Sequence, residues 1–112
     1  MNQKYEQQMN KGVLEMLVLK LLSEDEKYGY QLISELKEKS GEMFLLKEGT
    51  LYPILYRLED EALVESHWSE PKGKEVSRKY YAITEKGRNE IAELKELWQR
   101  FSKNVTEILQ DK

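Results

Sequence analysis

The 112-residue chain contains no cysteine, which removes disulfides, thiolate nucleophiles and thiolate metal sites together. One histidine, His67, leaves too few ligands for a structural zinc site. Only two prolines interrupt it, so long helices are allowed. Long apolar runs are missing too. The densest stretch, residues 13–22, is broken by Glu15 and Lys20 and falls far short of a membrane span. Met1 to Glu6 lack the apolar core of a signal peptide, and the expected location is cytoplasmic. With no nucleophile–base pairing, phosphate-cradling glycine loop or metal set, neither catalysis nor a cofactor is expected.

What is present is charge, unevenly spread. The net charge is −3. Residues 1–71 carry 8 basic against 14 acidic side chains. Residues 72–88 reverse that sign, with Lys72, Lys74, Arg78, Lys79, Lys86 and Arg88 against Glu75 and Glu85. A basic patch in an acidic protein is where a polyanion would bind, although charge alone equally fits a solvated loop.

Hydrophobic periodicity predicts four helices and a hairpin. Met9 to Leu22 is apolar on more than one side, as in a helix buried against two neighbours. Ser23 to Lys27 reads as a polar break. A second helix is expected over about Gly29–Ser40, stopped by Gly41. A third is expected over about Gly49–Glu61, with Leu51, Ile54, Leu55 and Leu58 forming its stripe. Leu63–Trp68 and Ser77–Ile83 read as strands around the turn residues Pro71 to Lys74. Thr84 suits an N-cap for the last helix. There Ile91, Leu94, Trp98, Phe101, Val105 and Ile108 repeat as a and d positions of nearly three heptads. Such a helix spans roughly 37 Å, more than this small domain can cover, so a partner helix is expected.

The fold class expected is therefore mostly α with a small β-hairpin: a winged helix-turn-helix plus a C-terminal dimerisation helix. Residues 1–88 would form the DNA-binding part and 89–112 the dimerisation helix, as one structural unit. In such a module the third helix enters the major groove. Its outward face would present Thr50, Tyr52, Pro53, Tyr56, Arg57 and Asp60, with Tyr52 and Tyr56 expected in solvent. Thr50 and Tyr52 lie where free backbone N–H groups favour a phosphate, and Arg57 can pair with guanine or hold a phosphate. Lys72, Lys74, Arg78 and Lys79 on the wing suit backbone or minor-groove contact, setting affinity and salt dependence.

Three stretches, Tyr28–Ile33, Glu48–Glu59 and Arg78–Arg88, closely resemble the PadR family of bacterial transcriptional regulators in order and spacing. The resemblance spans residues 10–90, and the short C-terminal helix is similar to the family's smaller subgroup. It implies a homodimeric repressor that binds an inverted repeat in double-stranded DNA and lets go when a small effector arrives. It also implies that Tyr28, Tyr30, the Thr50–Leu51–Tyr52 turn and the wing from Lys72 to Lys79 lie against DNA. The chain departs from the family at Ala62, usually glycine, and at Tyr56, often lysine.

Some members of that subgroup take flat aromatic compounds between their C-terminal helices. By resemblance, Trp98 is expected to stack on a planar effector at the dimer centre. Met9 and Met16, seven apart on the first helix, would line the cavity, and Glu15 would attract a cation. The bland alternative is that Trp98 and the methionines only fill the interface. An alternative function is a winged-helix module that binds protein without sequence-specific DNA recognition. Arg57 and the basic wing argue against it, while the overall charge keeps it open.

Overall fold

The computed structural model describes residues 3–111. Helix α1 (Gln3–Glu24) is followed by β1 (Lys27–Tyr28), α2 (Gly29–Lys39), α3 (Glu48–Asp60), β2 (Val64–Trp68), β3 (Lys79–Ile83) and α4 (Glu85–Leu109). The chain is mostly helical with a small antiparallel sheet, the architecture of a winged helix-turn-helix with an added C-terminal helix.

Helix α1 begins six residues before the expected Met9. Its first two turns are dominated by Gln3, Lys4, Glu6, Gln7 and Gln8, good helix formers without an apolar stripe, so periodicity marks only the part facing the core. The expected polar break also carries structure. Lys27 and Tyr28 pair with Tyr81 and Tyr80, turning the hairpin into a three-stranded sheet of order β1-β3-β2. Lys27 is buried, and its ammonium is neutralised by Glu35 of α2 at 3.1 Å. The wing strand β3 starts at Lys79 rather than Ser77, because Ser69 captures the preceding residues. Ser69 Oγ accepts from the Arg78 N–H at 2.9 Å, and the Ser69 carbonyl accepts from the Ser77 hydroxyl.

One core unites these elements. Val18, Leu19 and Leu22 of α1, Leu32 of α2, Leu51, Leu55 and Leu58 of α3, Val64 and Tyr81 are almost fully buried. Each such aliphatic side chain contributes about 1.5–3 kcal/mol on leaving water. The third helix closes with a left-handed residue: Ala62 has φ +61°. There the Leu63 N–H donates to Leu58 O and the Ala62 N–H to Glu59 O, both at 2.9 Å, the paired bonds of a Schellman end. Leu58 and Leu63 bury against the core on either side of it.

The start of α4 is tied to that same corner. The Thr84 hydroxyl accepts from the Gly87 N–H at 3.0 Å and donates to Ala62 O at 2.7 Å, so Thr84 is the N-cap the sequence predicts. Gly87 lies so close to the Leu63 carbonyl that a Cβ would stand 2.1 Å from its oxygen. From there α4 leaves the domain. Ile91 is buried and Leu94 packs against the core, but Leu97, Trp98, Phe101, Val105, Ile108 and Leu109 are exposed. The radius of gyration is 16.0 Å, against about 13 Å for a compact chain of this length. Among the described residues no helix is long and apolar enough to cross a membrane.

Candidate nucleic-acid interface

The first turn of α2, the first turns of α3 and the base of the wing enclose an open cleft of about 460 Å³. Its walls are Tyr28, Gly29, Tyr30, Glu48, Tyr52, Trp68, Ser77, Arg78 and Lys79. Tyr28 caps α2 with an extended backbone, and its N–H is accepted by the Gln31 side chain at 3.2 Å. That cap aims the first turn of α2 toward the wing. The Arg78 guanidinium lies 4.5 Å from the Tyr28 ring centroid. Tyr28 also meets Tyr80 edge-on at 5.4 Å, and Tyr80 stacks on His67 at 5.9 Å. One aromatic ladder thus crosses all three strands on the outer face of the sheet, stiffening the wing's root. His67 Nε2 meets the Glu26 carboxylate at 2.7 Å. That hydrogen bond raises the imidazole pKa from its ordinary value.

The outward face of α3 divides into two flanks. Tyr56 is exposed near its middle, with the Lys79 ammonium 5.9 Å from its ring. Tyr52 turns to the wing side and is half-buried, not in solvent as the helical wheel implies. The cause is Gly29. Its missing side chain makes room for Tyr52, whose hydroxyl would stand 2.5 Å from a Cβ at that position. Thr50 and Arg57 turn the other way, into a groove of about 940 Å³ beside α1 and the α2–α3 loop. There the Arg57 Nε donates to the Glu15 carboxylate. Thus Tyr28, Tyr30, Tyr52, Arg78 and Lys79 share the cleft, Tyr56 stands near it, and Thr50 and Arg57 do not line it.

Lys72 and Lys74 are exposed at the wing tip, around a turn in which Gly73 takes φ +60° and the Glu75 N–H donates to Lys72 O at 3.0 Å. Trp68 and Ser77 also line the cleft, and neither was singled out from sequence. The signal for Trp68 was available: a large indole at the distal end of a short strand, beyond the reach of the core.

The expected effector residues are not gathered within one chain. Glu15 is engaged with Arg57, Met9 is exposed, Met16 packs against the core, and Trp98 lies on the open part of α4, 6.3 Å from Phe101. Of these only Glu15 lines the groove beside α1. The six heptad positions divide likewise, since Ile91 and Leu94 are occupied by this chain's own core while Trp98, Phe101, Val105 and Ile108 are open. Among the described residues no group of three or more acidic or histidine side chains could hold a metal.

Residues 18–93 match the model of the transcriptional regulator PadR-like family. The negative transcriptional regulator PadR of Bacillus subtilis (strain 168) is 32% identical over 79 residues, 70% of this chain and 43% of that protein. The chain therefore spans less than half the length of that relative. A PadR-like transcriptional regulator from Bacillus cereus strain ATCC 14579 is 40% identical, with a TM-score of 0.79 over 94% of this chain and 99% of that one. A PadR family transcriptional regulator from Eggerthella lenta DSM 2243 gives 30% identity and a TM-score of 0.84, covering 98% of this chain and 93% of that one.

Proposed function

Because this chain belongs to the PadR-like family of transcriptional regulators, we propose that it is a homodimeric repressor of transcription that binds an inverted repeat in double-stranded DNA. One observation carries the reading: the first turn of α2, the start of α3 and the cationic root of the wing converge on one open cleft. Three elements presenting tyrosines and cations to the same side match the needs of a duplex. Helix α3 would enter the major groove with Tyr56 foremost, while Tyr28, Tyr30 and Tyr52 meet the flanking backbone. Arg78, Lys79, Lys72 and Lys74 would follow the phosphates along the wing and set the salt dependence. Thr50 and Arg57 would contact the strand on the α1 side, Arg57 only by exchanging Glu15 for a phosphate or a guanine edge.

Dimerisation would use the body of α4, from residue 89 to its end at Leu109, through Trp98, Phe101, Val105 and Ile108. Its extension away from the core leaves an apolar stripe that water does not favour. A planar aromatic effector would sit between the two copies of Trp98, near Met9 and Met16 of α1. Glu15 would hold a cationic group there only when released by Arg57.

The test is selection from a randomised duplex library at near-physiological salt, followed by titration of the enriched sites. Enrichment of an inverted repeat with half-sites about one helical turn apart is the expected result. A folded dimer that enriches no duplex would sink the reading and leave a protein-binding winged helix in its place.

A further inference from the structure

Trp68 is a large side chain with an exposure of 65%, and it sits at the end of a strand whose other end is in the core. Alternation along β2 puts Val64, Ser66 and Trp68 on one face. Val64 is buried and Ser66 half-buried, but Trp68 on the same face meets only the open cleft. The register sets Trp68 opposite Lys79, and both line the cleft beneath the wing together with Tyr30, Tyr52 and Arg78. Among the described residues Trp68 has no ring partner, no cation over its face and no acceptor for its indole N–H. Of the other aromatic side chains of this region, Tyr28 is engaged with Tyr80 and Arg78, Tyr80 with His67 and Tyr52 with Tyr56, whereas Tyr30 is exposed like Trp68.

We propose that Trp68 is a DNA-contacting residue whose indole lies against the sugar-phosphate backbone at the mouth of the cleft, its N–H donating to a phosphate oxygen. This rests on the reading of the cleft as a duplex site. The chemistry matches on both counts. A deoxyribose offers a carbon face that an indole covers at little cost, and a phosphate supplies the acceptor that the N–H lacks. Arg78 and Lys79 supply the charge, against one acidic wall residue, Glu48. A contact of this kind adds affinity on every sequence and reads none.

The experiment uses the full chain carrying 5-fluorotryptophan, whose two fluorine signals are assigned with Trp68→Phe. Complex formation is followed separately by anisotropy of a labelled duplex. On saturation with duplex the Trp68 signal is expected to shift and to lose its sensitivity to exchange of water for heavy water. Trp68→Ala is expected to weaken binding about tenfold, or 1.4 kcal/mol, equally on enriched and unrelated duplexes. Trp68→Phe, which keeps a ring without the N–H, should lose less, and the melting temperature should not move. An unchanged, water-accessible Trp68 signal in a complex that anisotropy detects would overturn the proposal, as would Trp68→Ala binding like wild type. If anisotropy detects no complex with any duplex, the reading of the cleft fails first and the proposal fails with it.

Discussion

Arg78 places its guanidinium 4.5 Å from the centre of the Tyr28 ring, bracing the wing against the first turn of α2. A cation held over an aromatic face gains about 0.5–1 kcal/mol at an exposed site. It remains free to meet a phosphate on its other side.

Replacing Arg78 by alanine should therefore weaken DNA binding on all sequences and lower the slope of log affinity against log salt by about one. Titrations at three or four salt concentrations measure both quantities. A lost affinity with an unchanged slope would mean that Arg78 acts only by holding Tyr28. Tyr28→Phe keeps the ring and should bind almost as wild type does.

Glu15 and Arg57 lie 42 positions apart and form an ion pair between α1 and α3. Both are substantially exposed, so the pair contributes little to folding. Its effect is on the charge available to a duplex. Glu15→Gln should tighten DNA binding several-fold at low salt, with the gain shrinking as salt screens it. The melting temperature should change by no more than a degree or two. Weaker binding by this variant would instead make Glu15 the group that orients Arg57 for its contact.

Ala62 takes a left-handed conformation at φ +61°, where an L side chain is strained and glycine is not. Ala62→Gly should stabilise the protein by about 1 kcal/mol, read from urea unfolding. The gain should come without a change in the denaturant slope, because no surface is exposed or covered. A loss of stability would show that the unfolded chain's added freedom outweighs the relieved strain.

Tyr81 is fully buried, and among the described residues its hydroxyl has no hydrogen-bond partner. Burial, with smaller contributions from Tyr56, Glu59 and Tyr52, pushes its pKa from 10.0 up to about 12. The folded protein then holds this proton where the unfolded chain gives it up. The resulting stability is complete below pH 10 and lost as pH rises toward 12. Tyr81→Phe should be neutral or stabilising by up to about 1 kcal/mol at pH 7, since an unpaired buried hydroxyl costs free energy. It should also flatten the decline between pH 10 and 12. A loss above about 1 kcal/mol would point to a bound water on the hydroxyl.

Sequence periodicity reveals what a repeating pattern can carry. The α3 stripe from Leu51 to Leu58, the Thr84 cap and the heptads of α4 are all local patterns of this kind. A two-residue strand has no period, so Lys27 and Tyr28 gave no sign of joining the sheet. Helical phase placed Tyr52 outside the core stripe, but it could not say that Gly29 leaves a slot for it. The Glu15–Arg57 pair joins distant positions, and neither residue advertises the other. Trp68 is hidden differently: alternation gives its face, while only the structure shows that this face opens into the cleft at the end of β2 instead of the core.

The last helix holds two kinds of apolar residue within one heptad stripe, and substitution should separate them. Ile91 is buried in its own chain's core, and Ile91→Ala should cost about 2–4 kcal/mol of stability. Phe101 is 60% exposed and Val105 40%, so neither supports the single chain's fold to that extent. If α4 pairs with a second copy, Phe101→Asp should place a charge in the seam and halve the mass measured by sedimentation at micromolar concentration. Helical content should be largely kept, and the melting temperature, concentration-dependent in the wild type, should cease to depend on concentration. The two variants must differ in kind: one lowers stability and leaves the mass unchanged, the other lowers the mass first. If Phe101→Asp leaves the mass as it was, the stripe beyond Leu94 is not the dimer seam, and the pairing of two DNA half-sites needs another surface.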